Sequence, residues 1–250
     1  MLRVETEGEI GELIIDRPER MNALPAALWP RLREAVDQLA DDEEVRAVIL
    51  RGAGGCFSVG ADLDDMSGIA GPDERRAFLA DAVAGVRSLA ELPKPVIASV
   101  HGHCIGGGLE LALICDLVVC DETARFQVPE SRVGLVPGVL LAAGAGSIDR
   151  HWLKYLAMSG DPVGPEEARL AGLVNFVTPE GGQLDRAREL AARLASRAPL
   201  SLRTIKEAVA GREADLEQAI EWGLALQGSE DFAEGVAAFA ERRPPAFRGR

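Results

Sequence analysis

The chain has 250 residues, 47% hydrophobic and 27% charged, ordinary for a soluble globular protein and long enough for one sizeable domain, or one with an appendage. Its formal net charge of −13 argues against nucleic acid as a partner, and no apolar run reaches the roughly 18 residues that a membrane helix needs. The N-terminal MLRVETEGEI is too acidic and too polar for a signal peptide, so the expected location is the cytoplasm.

Leu2, Val4 and Thr6 alternate with polar residues, and after Gly8 the segment Glu9 to Ile15 is again strand-like, which predicts an opening hairpin. RPERMNAL, Arg17 to Leu24, ends it in a loop. A helix follows with Leu28, Leu32, Val36 and Leu39 on one face, and Pro30 near its start, where proline does least harm. Val45 to Leu50 predicts a strand buried on both faces. It runs into the glycine-rich loop Gly52 to Asp62. Asp64 to Asp73 is polar, with Gly68, Gly71 and Pro72, and is expected to be mobile; Arg75 to Glu91 is helical, with Phe78, Val83, Val86 and Leu89.

The apolar run Pro95 to Val100 then leads into HGHCIGGGLELALIC, His101 to Cys115. Strand, glycine turn and helix start together bare backbone N–H groups at the positive end of a helix dipole. Such a turn suits an anion, or an oxygen that becomes anionic during a reaction; the alternative is a tight turn whose glycines allow close packing. Leu109 and Glu110 after the glycines exclude the Walker phosphate loop, and there is no G-x-G-x-x-G.

Beyond it, Asp116 to Cys120 predicts a short strand. Ala124 to Glu130 reads as extended, with Pro129 keeping Val128 out of the helical region. Gly134 to Gly138 is a turn, Val139 to Ile148 a small apolar run, and Trp152 to Met158 helical. Pro165 to Ala171 is a short helix ended by Gly172, and Val174 to Val177 the last strand. From Leu184 the pattern is helical only, with stripes at Leu184, Leu190 and Leu194; Leu202, Ile205 and Val209; Leu216, Ile220 and Leu224; and Phe232, Val236 and Phe239. Strands alternating with helices and then helices alone predict an α/β core over residues 1–183 and a helical region over residues 184–250. The four cysteines, in or beside apolar stretches without metal-ligand spacing, read as reduced core thiols. Three scattered histidines make no metal site, and His101 and His103 are assigned to packing.

Two acids stand near apolar ground. Glu110 lies in the first turn of an otherwise apolar helix, and Glu130 follows Pro129. A carboxyl group in an apolar site has a raised pKa and can trade protons near neutral pH. The bland alternatives are that Glu110 serves the helix N-terminus and that Glu130 is a surface residue.

Taken together these segments resemble the enoyl-CoA hydratase/isomerase family, the crotonase superfamily. RPERMNAL looks like its early CoA-contacting loop and SVGADL, Ser58 to Leu63, like its first oxyanion-hole segment. PKPVIASVHGHCIGGGLELALICD, Pro93 to Asp116, looks like its signature, and ARFQVPESRVGLVPG, Ala124 to Gly138, like its second acid segment. EDFAEGVAAFAERRPPAF, Glu230 to Phe247, is similar to its C-terminal helix and tail. The resemblance spans nearly the whole chain and implies an α/β spiral of ββα turns with a C-terminal helical trimerisation region. It implies that the backbone N–H groups of Ala61 and Gly107 form the oxyanion hole, that Glu110 and Glu130 are the catalytic glutamates, and that Gly138 helps place the reacting water. It puts Arg17, Met21, Ala23, Gly60, Asp62 and Leu63 in segments lining the CoA and acyl site.

The activity so implied is hydration of a 2-enoyl-CoA. The alternatives are another crotonase-type reaction on an acyl-CoA (isomerisation, decarboxylation or ring cleavage) or a non-catalytic acyl-CoA-binding protein. No metal or redox cofactor is expected, coenzyme A being part of the substrate. The expected assembly is a homotrimer, or a hexamer of two trimers. One departure bears on specificity: where many family hydratases carry a glycine-rich sequence with Thr-Gln-Arg, this chain reads Val139-Leu140-Leu141-Ala142-Ala143-Gly144-Ala145-Gly146.

Overall fold

A computed structural model describes residues 1–67, 71–210 and 216–250. Its main sheet has six strands in the order β1, β2, β3, β4, β6, β8. β1 (Leu2–Glu7) and β2 (Ile10–Ile15) form the expected antiparallel hairpin around Gly8, whose φ is +57°. The rest of the sheet is parallel: β2 pairs with β3 (Ala47–Gly52), β3 with β4 (Val96–Val100), β4 with β6 (Leu117–Asp121) and β6 with β8 (Phe176–Thr178). A second, two-stranded sheet pairs β5 (His103–Ile105) with β7 (Arg125–Gln127).

Side chains alternate across the sheet with a period of two. Val48, Leu50, Val96, Ala98 and Val100 face one core, shared with α1 (Leu28–Asp41), α3 (Pro72–Glu91) and α4 (Gly107–Ile114). Ala47, Ile49, Ile97 and Val119 face another, filled by Ala187, Leu190, Ala191 and Ala195 of α8 (Gln183–Ala195). The stripe on α1 lands as its spacing predicts, with Leu28, Leu32, Val36 and Leu39 all buried. On the α8 side, the buried Glu12 accepts from Arg51 and Arg188, so a charge in the sheet interior is paired.

Two local expectations are corrected, and a third stretch is described in part. The glycine turn does not follow β4 directly: β5 intervenes and carries the chain back over the loop after β3, where Ser58 donates its N–H to His103 O at 2.9 Å. Glu130 is not extended but stands in the first turn of a 3-10 helix, Pro129–Val133, because proline's fixed φ suits a helix start. In the stretch expected to be mobile, Leu63–Ser67 forms a short helix, α2, and Pro72 opens α3; residues 68–70 lie outside the described residues.

The apolar run from Val139 becomes α5 (Gly138–Gly144), followed by α6 (Arg150–Ser159) and α7 (Pro165–Leu170). α9 (Pro199–Ala210), α10 (Leu216–Gln227) and α11 (Glu230–Glu241) complete the chain. Unlike α8, these carry exposed apolar side chains, among them Val209, Leu224, Val236 and Phe239, the last 87% exposed. The side chain of Leu216, at the head of the α10 stripe, lies outside what is described.

Candidate active site

β2, β3 and β4 run parallel, so the loops that leave them collect at one edge of the sheet, the edge where open α/β sheets hold ligands. Those loops are Arg17 to Leu24, Gly52 to Asp62, and His101 through Gly106 with its short strand. The first is pinned by Asn22, fully buried and left-handed at φ +56°. Its Nδ2 donates to the carbonyls of Ala53 and Cys56, both at 2.8 Å, and its Oδ1 accepts from Arg17 N at 2.9 Å. Arg17 Nη1 then donates to Ala23 O at 2.9 Å and to Asp62 Oδ2 at 3.0 Å, joining the two loops. The hydrogen bond from Arg17, aided by the charge of Arg20, holds the Asp62 carboxyl below the usual carboxylate range.

The Gly60–Ala61 peptide is aimed by its neighbours. Gly60 O accepts from Leu24 N at 2.8 Å, and in a planar trans peptide the Ala61 N–H must point the opposite way. Gly106 O accepts from Glu110 N at 3.0 Å, so the Gly107 N–H likewise points out of the α4 N-terminus. Among the described residues neither N–H has an acceptor. They lie close together: a Cβ built on Gly107 would be 3.9 Å from Ala61 N, and one built on Gly60 would be 3.1 Å from Gly107 N. Two free, convergent donors can hold an oxygen that gains charge.

The two glutamates flank this pair. A Cβ on Gly106 would meet Glu130 Oε1 at 2.9 Å, and Gly106 has φ +51°, so only glycine lets the turn pass beneath that carboxyl. Glu110 Oε1 accepts from Val139 N at 2.9 Å and Leu140 N at 3.0 Å, capping the start of α5 beside Gly138. Burial pushes both carboxyls up, but their surroundings differ. The two N–H groups partly offset burial at Glu110 and favour its ionised form. At Glu130 the main chain's own N–H offsets burial in part, while the negative charge of Glu110 pushes it further up. Glu130 Oε2 is buried without a partner among the described residues, which favours a proton on it.

This predicts a stability effect. A raised folded pKa gives stability that is complete below the unfolded value, about 4.3 for glutamate, and is lost as pH rises through the folded value. Glutamine has no proton to lose. Glu130→Gln is therefore expected to melt a few degrees above the wild type at pH 8, with the gap closing toward pH 4; 1 kcal/mol corresponds to about 2–4 °C in a chain this long. Calorimetry finding a gap independent of pH would contradict it.

Ala61, Gly107, Glu110, Glu130 and Gly138 thus gather as expected at one place, while the other expected site residues divide. Arg17, Ala23, Gly60 and Asp62 are buried or half-buried braces of the two loops, and Met21 and Leu63 present apolar side chains 54% and 75% exposed. His101 Nε2 donates to Gly54 O at 2.8 Å and His103 is exposed, so neither reaches the glutamates. Sequence reasoning gave no role to Asn22 or Ser58. Asparagine's tolerance of left-handed backbone was the available signal for the first; the second had none. Among the described residues no cluster of His, Cys, Asp and Glu could hold a metal ion, and no helix is long and apolar enough to cross a membrane.

Comparison with known proteins places the fold in a family. The family model described as enoyl-CoA hydratase/isomerase matches residues 5–250. The 2,3-dehydroadipyl-CoA hydratase of Escherichia coli K12 is 36% identical over 95% of this chain and 94% of its own. The carnitinyl-CoA dehydratase of Salmonella enteritidis PT4 is 37% identical over 100% of this chain and 98% of its own. The crystal structure of an enoyl-CoA hydratase from Polaromonas sp. JS666 superposes with a TM-score of 0.93 at 30% identity, covering 99% of each chain.

Proposed function

The chain belongs to the enoyl-CoA hydratase/isomerase family, and from that footing we propose that it is a hydratase, adding water across the 2,3 double bond of a 2-enoyl-CoA thioester. The observation that carries this reading is the pair of unlike glutamates astride the Gly106–Gly107 turn. With the thioester oxygen between the N–H groups of Ala61 and Gly107, C3 becomes electrophilic and the enolate is stabilised as it forms. Glu110, whose ionised form is favoured by two N–H groups, takes a proton from water, whose oxygen bonds to C3. Glu130, whose protonated form is favoured by burial and by the charge of Glu110, delivers a proton to C2. Gly138, at the N-terminus that Glu110 caps, borders the water. Isomerisation or decarboxylation can use the same hole with one proton carrier; two carboxyls in opposed surroundings favour hydration. No electrons change hands, and coenzyme A enters as part of the substrate. Incubation with crotonyl-CoA should bleach the enoyl-thioester absorbance and add the mass of one water. Tight acyl-CoA binding with no turnover of any thioester would overturn the reading in favour of a binding protein.

The acyl tail is expected to leave the glutamates along α5 and the residues after it, where the run Val139 to Gly146 offers only aliphatic and small side chains. Each buried CH₂ there contributes about 0.8 kcal/mol, whereas a terminal carboxylate would be desolvated without a partner. Arg132, a nearby cation, is drawn away to Asp161 at 2.5 Å. Apolar enoyl-CoAs are therefore expected to show higher kcat/KM than dicarboxylic ones, although the Escherichia coli relative is named for a dicarboxylic acyl group. A preference for glutaconyl-CoA over crotonyl-CoA would mean that an arginine reaches the pocket.

The exposed apolar faces of α9 to α11 support a trimer, or a hexamer of two trimers, as the working cytoplasmic form. Sedimentation should give one of these at micromolar concentration; a stable monomer would rule both out.

A further inference from the structure

We propose that Ser58 is the positioning residue that holds both oxyanion donors in place, an inference that rests on the reading of this site given above. Ser58 is fully buried beneath the two loops. Its Oγ donates to Asn22 O at 2.8 Å and accepts from Gly60 N at 3.1 Å. Its main chain adds two bonds to β5, donating to His103 O and accepting from Ile105 N, both at 2.9 Å. One residue therefore joins the loop after β2, the loop bearing Ala61, and the strand leading to Gly107.

The hydroxyl acts on the first donor through Gly60. With its N–H held back by Ser58 Oγ, Gly60 takes φ +85°, and the next peptide turns its carbonyl to Leu24 and the Ala61 N–H outward. The same side chain seats the second donor. A Cβ on Gly108 would be 2.8 Å from Ser58 Cβ and 3.0 Å from Oγ, so the first turn of α4 rests directly on it. Two N–H groups from distant parts of the chain take their separation from this one contact. Only a group that both donates and accepts can satisfy Asn22 O and Gly60 N together; alanine does neither.

The test uses the full chain, its Ser58→Ala and Ser58→Cys variants, crotonyl-CoA, and 4-(dimethylamino)cinnamoyl-CoA as probe. The absorption of this conjugated thioester moves to longer wavelength when its carbonyl is polarised, so it reports the oxyanion donors directly. In Ser58→Ala we expect less than half of the wild-type red shift. We expect kcat to fall about 10- to 100-fold with KM changed little, since small misplacements of a reacting arrangement reach 10²-fold. Ser58→Cys, a weak donor and acceptor, should recover part of the shift, and it carries the test if the alanine variant does not fold. A full red shift with wild-type kcat in folded Ser58→Ala would overturn the proposal, as would the same result in Ser58→Cys where the alanine variant does not fold. So would a lower melting temperature with kcat per folded molecule unchanged, which marks a merely structural residue. A wild type that shifts the probe but leaves crotonyl-CoA unhydrated ends the hydratase reading, while the variants' shifts still judge Ser58.

Discussion

Glu110→Gln and Glu130→Gln are each expected to lower kcat on crotonyl-CoA by roughly 10²-fold or more, the loss typical of a positioned proton-transfer group. Both variants should fold, since glutamine is nearly isosteric, and at Glu130 neutrality even relieves the burial of charge. The two losses should differ in pH dependence. Glu110 works ionised, so wild-type rate falls as pH drops through its raised pKa. Glu130 works protonated, so rate falls as pH rises through its own raised value. The product is a bell whose acid limb belongs to Glu110 and whose alkaline limb belongs to Glu130. Residual activity of Glu110→Gln should lack the acid limb, and that of Glu130→Gln the alkaline one. Wild-type turnover in a folded Glu130→Gln protein, or exchanged limbs, would refute the division of labour.

The two glutamates were legible in the sequence as acids near apolar ground, and the roles proposed for them came from the family resemblance. The α1 stripe was readable because it buries one periodic face, and β3 and β4 because strands buried on both faces are continuous apolar runs. β5 was not: three residues with His103 exposed hold no period to detect. Pro129 carried two meanings. It does keep Val128 out of the helical region, but it also opens the 3-10 turn that swings Glu130 over Gly106. The stripe on α8 resembles those on α9 to α11, yet α8 meets the sheet through Ala187 and Ala191 while the later helices leave theirs bare. A stripe says that a face will be covered and not by what. Asn22 and Ser58 were silent for a related reason: the contacts that join the loops lie 31 or more residues away, which local patterns do not record.

Gly107→Pro is expected to cost about 3–4 kcal/mol of transition-state stabilisation, the usual loss for one oxyanion donor, or roughly 10²- to 10³-fold in kcat. The position suits the experiment. Gly107 is the first residue of α4, where the missing N–H breaks no helical bond and proline's φ is already that of a helix. Space is available too: a Cβ there would touch Leu24 Cδ1 at 3.4 Å and nothing nearer. Proline thus removes the donor and sets ring carbons where its hydrogen pointed, with little demand on the fold. Gly107→Ala is the matched control, for it adds the same Cβ and keeps the N–H. Circular dichroism should superimpose for all three proteins, and the gap in kcat between alanine and proline measures the loss of the donor together with the filling of its place by ring carbons. If proline, properly folded, turned over as fast as alanine, the thioester oxygen would have to sit elsewhere, and the free N–H of Ala61 could not be half of a two-donor site.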